Sequence, residues 1–174
     1  MQTQWIALHD LPANGREFSF HDQDVWQRLF DDYALSCRAE QPVRVDFTIL
    51  PANDGIYVQG HVMGTVILEC SRCLEDARVS FNEPFDFFEP LVAEDNASRN
   101  SLVREEGGII EFDIIGLAWE QFIMALPDKP LCSPSCKGIC PSCGTNLNVG
   151  TCSCQKESGD PRLSVLRNLK ISKT

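Results

Sequence analysis

Six cysteines fall between Cys132 and Cys154, in the stretch CSPSCKGICPSCGTNLNVGTCSC, and two more stand far upstream as Cys70 and Cys73 in CSRC. Thiols so spaced can cross-link, cycle as a dithiol, or hold a metal. A structural zinc takes four ligands at tetrahedral corners, and a CxxC turn aims two sulfurs at a single ion. Counted as pairs, the chain offers Cys70 with Cys73, Cys132 with Cys136, Cys140 with Cys143, and Cys152 with Cys154. Four pairs make two closed sites. CPSCG is the most specific element, because its proline and glycine suit the tight turn of a metal-binding knuckle. TNLNVGT can reverse the chain behind it, which groups Cys140 and Cys143 with Cys152 and Cys154. CSRC has no second pair nearby, so its partners are expected to be Cys132 and Cys136. A rival partition places Cys132, Cys136, Cys140 and Cys143 in one local site. Zinc is the expected metal, although iron also suits four thiolates.

The other two uses of the cysteines are weaker. A reducing compartment disfavours cross-linking, and nine cysteines is an odd number. Redox pairs of the CxxC type usually open a helix, whose dipole lowers a thiol pKa, whereas CSRC lies between two strand-like runs. A thiol-dependent redox enzyme using Cys70 and Cys73 therefore stands as the alternative reading. Cys37 is expected to be a small, half-buried apolar residue. His9, His21 and His61 lie in separate segments without a paired nucleophile, and no phosphate-cradling glycine loop is present, so no catalytic set emerges. Closed four-thiolate sites also leave no coordination position for a substrate.

Something must position these sulfurs. HDQDVWQRLFDDYAL has Asp22 as an N-cap and Val25, Trp26, Leu29, Phe30 and Tyr33 at helical spacing. Three strand-like runs follow, VRVDFTIL, IYVQGHVMGTVILE and ARVSFNEPFDFF, broken by PANDG and by CSRCLED. The pattern predicts an antiparallel meander with CSRC at a hairpin tip. VAEDNASRNSLVREEGG, rich in charge and poor in apolar residues, is expected to be a loop. A short strand then ends at Asp113, the N-cap of a helix of about three turns that stops near Pro127. In GDPRLSVLRNLK, Asp160 and Pro161 mark the start of a last helix. The expected fold is α+β, a mostly antiparallel sheet with a few helices, with a body over residues 1–127 and a cysteine-rich metal-binding tail over residues 128–174.

Charge divides the chain at the same point. Residues 1–127 carry 8 Lys and Arg against 22 Asp and Glu, a balance of −14, whereas residues 128–174 balance at +4. An acidic body disfavours direct contact with nucleic acid, so Lys137, Arg162, Arg167 and Lys170 are the candidate partner-binding residues. MQTQWIALHD lacks the basic start and apolar run of a signal peptide, and no stretch approaches the roughly 20 apolar residues that span a bilayer. A cytoplasmic protein without membrane contact is expected.

The residues LECSRCLE, ALPDKPLC, CKGICPSCGTNLN and DPRLSVLRNL, taken in that order, resemble the bacterial YceD family of large ribosomal RNA subunit accumulation proteins, from about Val62 to the end. The resemblance implies a non-enzymatic role in ribosome biogenesis, supporting synthesis, processing or stability of large-subunit ribosomal RNA. It implies as partners ribosomal RNA or precursor large-subunit particles, met directly or through a protein, and no small-molecule substrate. It carries no catalytic residues. A zinc-ribbon adaptor unrelated to ribosomes is the remaining alternative.

Overall fold

Alternation of apolar and polar residues dominates the centre of the chain, and a computed structural model, which describes residues 4–91 and 102–154, shows what that alternation builds. Its strands are β1 (Trp5–Ala7), β2 (Arg16–Phe20), β3 (Cys37–Pro51), β4 (Gly55–Glu69), β5 (Asp76–Pro90), β6 (Val103–Glu106) and β7 (Ile109–Asp113), and its helices are α1 (Gln23–Asp32) and α2 (Ile114–Ala125). The chain separates into two compact units, Met1–Cys136 and Lys137–Thr174. All of these strands and helices lie in the first.

β3, β4 and β5 form the expected antiparallel meander, joined at one edge by β2 in the order β2-β3-β4-β5. In β3, Val43, Val45, Phe47 and Ile49 are buried while Arg44 is exposed, the period-two pattern of a sheet with one covered face. The covering helices are α1 and α2. Asp22 caps α1 by accepting from the N–H groups of Asp24 and Val25 at 3.0 and 3.3 Å. Asp113 caps α2 from the N–H of Ile115 and also accepts the N–H of Gln4, which ties the helix start to the chain beginning at β1. Phe122 of α2 sits at the centre of the core, its ring 5.2 Å from Trp26, 5.4 Å from Phe30, 5.6 Å from Trp119 and 5.8 Å from Phe81. Edge-on and tilted contacts of this kind add to burial.

Two strands depart from the sequence expectation. The charged run taken as loop contains β6, whose VREE pairs antiparallel with β7 in the sheet β1-β7-β6. Its stabilisation is not apolar alternation: Arg104 pairs with Glu111 across the strands and with Glu106 beside it, and lies 4.1 Å over the ring of Trp5. Gly107 and Gly108, with φ of 61° and 81°, close the hairpin in the conformation that matches strand twist. β2 is short, and only its alternation of Phe18 and Phe20 with polar neighbours marks it. The last helix expected after Asp160 lies outside the described residues.

Candidate functional site

The hairpin joining β4 to β5 ends in a turn built by the cysteine pair itself. The Cys70 N–H donates to the Glu75 carbonyl at 2.8 Å, and the Leu74 N–H donates to the Cys70 carbonyl at 3.0 Å. CPSCGT in the other unit makes the same turn: the Cys140 N–H donates to the Thr145 carbonyl and the Gly144 N–H to the Cys140 carbonyl, both at 2.8 Å. Both knuckles place their fifth residue in the left-handed region, Leu74 at φ 64° and Gly144 at φ 74°. Glycine adopts that conformation freely, whereas leucine is strained there. Leu74 is also 64% exposed, so little packing holds it in place. Leu74→Gly is accordingly expected to stabilise the fold by about 0.5–1 kcal/mol, the relief of strain exceeding the added freedom of the unfolded chain. A thermal melt that fell instead would show that the Leu74 side chain is held by contacts at the turn.

Cys132 and Cys136 approach the first knuckle from a segment fastened to it. The Ser71 N–H donates to the Pro130 carbonyl at 2.8 Å, and Arg72 Nη1 donates to the Cys136 carbonyl at 2.8 Å. Cys70 and Cys136 sulfurs lie 3.8 Å apart and those of Cys73 and Cys132 3.5 Å. The four sulfurs of Cys70, Cys73, Cys132 and Cys136 all lie within 4.8 Å of one another, as do those of Cys140, Cys143, Cys152 and Cys154. A tetrahedral ion with bonds of about 2.3 Å sets its sulfurs about 3.8 Å apart, so the first cluster has the dimensions of a four-thiolate site. Cys70, Cys73 and Cys136 are buried and Cys132 is exposed; in the second cluster Cys140 is buried and Cys143 and Cys154 are exposed. Within each unit the grouping coincides with the pairing drawn from spacing.

Titration in these clusters is uneven. Burial of Cys70 opposes its ionisation, but backbone hydrogen bonds at Cys132, Arg72 and Cys73 bring the thiol down to about 6. Cys73 goes the other way: against a backbone bond at Glu75, burial and the adjoining sulfurs push it up to about 12. In the second cluster the hydroxyl and backbone of Thr145 bring Cys143 down to about 6, while the neighbouring Cys143 sulfur pushes Cys154 up to about 12. Four crowded sulfurs cannot all carry charge by themselves; a bound divalent cation is what would let them, and the donor set fits one. Both clusters could hold a metal ion.

The second cluster has its own scaffold. The Lys137 N–H donates to Asn148 Oδ1 at 2.7 Å and the Leu147 N–H to the Gly138 carbonyl at 2.9 Å, so the asparagine-rich turn predicted to reverse the chain is held by hydrogen bonds on both arms. Lys137 is exposed at this turn. Arg162, Arg167 and Lys170 lie outside the described residues. Cys37 packs half-buried against the main core, and burial pushes its thiol up to about 11. His9 lies beside Asp10, His21 lies 3.4 Å from the Ser19 hydroxyl, and His61 is on the exposed face of β4. Sequence reasoning missed Arg72, whose guanidinium fastens the Cys136 segment; its place inside CSRC was the available signal.

Comparison with known proteins adds family information. The family model described as "Large ribosomal RNA subunit accumulation protein YceD" matches residues 58–170. An uncharacterized protein of Mycobacterium tuberculosis is 31% identical over 112 residues, covering 59% of this chain and 50% of the relative. The large ribosomal RNA subunit accumulation protein YCED homolog 1, chloroplastic, of Arabidopsis thaliana is 24% identical over 159 residues, covering 74% of this chain and 49% of the relative. The chain thus spans about half the length of the curated relatives it matches. No solved structure matches.

Proposed function

The chain belongs to the YceD family of large ribosomal RNA subunit accumulation proteins, and on that premise we propose that it is a non-enzymatic factor in ribosome biogenesis, held in shape by zinc at both cysteine clusters. It supports synthesis, processing or stability of large-subunit ribosomal RNA in the cytoplasm, acting on the RNA or on precursor particles, directly or through a protein. The observation that carries this reading is the family match over residues 58–170, which spans all eight clustered cysteines. Cys70, Cys73, Cys132 and Cys136 would hold one ion, and Cys140, Cys143, Cys152 and Cys154 the other. A zinc so bound supplies folding free energy and leaves no position for a substrate. The redox alternative needs an accessible, nucleophilic Cys70, and that residue is fully buried among three other sulfurs. Among the described residues no helix is long and apolar enough to cross a membrane.

The test combines elemental analysis with depletion in cells. Purified protein is expected to contain about two zinc ions per chain, and cells lacking it should accumulate less large-subunit than small-subunit ribosomal RNA. Unchanged ribosomal RNA on depletion would remove the biogenesis role, and protein that is fully active in thiol exchange would restore the enzyme reading.

A further inference from the structure

A groove of about 960 Å³ runs between β5 and the C-terminal half of α2. Its charge is of one sign. Among the described residues Glu83, Asp86, Glu89 and Glu120 line it, no lysine or arginine does, and none of the four carboxylates has a cationic partner. Burial holds the Glu89 carboxyl above its usual range; burial and then the charges of Glu89 and Asp113 do the same for Glu120. The groove walls carry half-buried Phe85 and Met124, the latter 76% exposed on its helix. Gln121, only 7% exposed, also lines the groove. β5 is the last strand of its sheet, and among the described residues nothing pairs with its outer edge.

From this combination of carboxylates without a described cationic partner and apolar walls beside an unpaired strand edge, we propose that the groove between β5 and α2 is a docking site for an extended, lysine- or arginine-rich segment of a partner protein. Charge complementarity selects the occupant. Nucleic acid and anionic membrane are repelled by four carboxylates, and a second copy of this chain would bring a body of balance −14 against them. Lysines of the segment meet Glu89 and Glu120, and its apolar residues lie against Phe85 and the adaptable Met124. Recognition runs through side chains, because Pro84 in the middle of β5 has no N–H to offer a continuous added strand. The inference does not depend on the ribosomal reading.

The probe is a short synthetic peptide alternating lysine with leucine, titrated into the full-length, zinc-replete protein and followed by fluorescence anisotropy and backbone amide shifts. Binding is expected to move the amides of Glu89 and Gln121. It should weaken about fivefold for Glu89→Gln and again for Glu120→Gln. Both variants should fold, since each removes a charge that the folded state holds at a disadvantage. Removing two charges elsewhere, with Asp54→Asn and Glu105→Gln, should change affinity less than about twofold. Serine in place of leucine in the peptide should weaken binding, and glutamate in place of lysine should abolish it. Equal loss for the two pairs of variants would reduce the effect to net charge and overturn the site, as would shifts confined to other elements or a concentration-dependent dimer that protects the groove.

Discussion

Replacing Cys70 and Cys73 together by serine is expected to release one of two zinc ions, lower the melting temperature by roughly 10 °C and leave the second cluster loaded. The reason lies in how the first cluster is built. Cys70 and Cys73 stand at the tip of the β4–β5 hairpin, while Cys132 and Cys136 arrive on a segment that is held otherwise by the bonds from Ser71 to Pro130 and from Arg72 to Cys136. Both of those donors sit on the knuckle that the variant dismantles. Hydrogen exchange over residues 130–136 should therefore accelerate, and Cys132 and Cys136 should become open to thiol reagents. The sheet itself should persist, because α1, α2 and β3 to β5 share a separate core around Trp26 and Phe122. Loss of both ions would mean that the clusters fold as one. Retention of both would mean that the metal is held elsewhere, for instance by Cys132, Cys136, Cys140 and Cys143.

The grouping of the sulfurs into two sets was legible in the sequence because metal ligation imposes a counting rule on pairs, and CSRC had one set of partners left once CPSCG was matched with CSC. The helices were legible too: Asp22 and Asp113 announce their own N-caps, and apolar residues recur at helical spacing behind both. β6 was hidden because its pairing rests on Arg104 with Glu111 and on Trp5, contacts made across strands that no periodicity encodes. The left-handed Leu74 was hidden for the opposite reason. A leucine is the wrong residue to signal that conformation, and only comparison with Gly144 in the matching knuckle shows what the turn demands. The acidic groove could not be read at all: Glu83 and Glu89 come from a strand and Glu120 from a helix, and nothing in their sequence spacing brings them together.

Changing Lys137, Arg162, Arg167 and Lys170 together to glutamate is expected to weaken association with large-subunit precursor particles about a hundredfold at physiological salt. Residues 128–174 carry the basic balance of the chain, +4 against −14 for the rest. If these four groups meet phosphates, each contact releases counterions, and the affinity of the unaltered protein should fall steeply as salt rises. The variant should lose both the affinity and most of the slope. Its fold should be spared, since Lys137 holds Asn148 through its backbone N–H and not its side chain. Zinc content and melting behaviour intact are the condition for interpreting the loss. A shallow salt dependence of the unaltered protein, together with lost affinity in the variant, would point to contact with an acidic protein surface in place of RNA. Undiminished association would remove the basic residues from the interface and turn the search to the body, where loss of particle association by the Glu89→Gln and Glu120→Gln variants, with the fourfold variant unaffected, would identify the acidic groove as the contact surface.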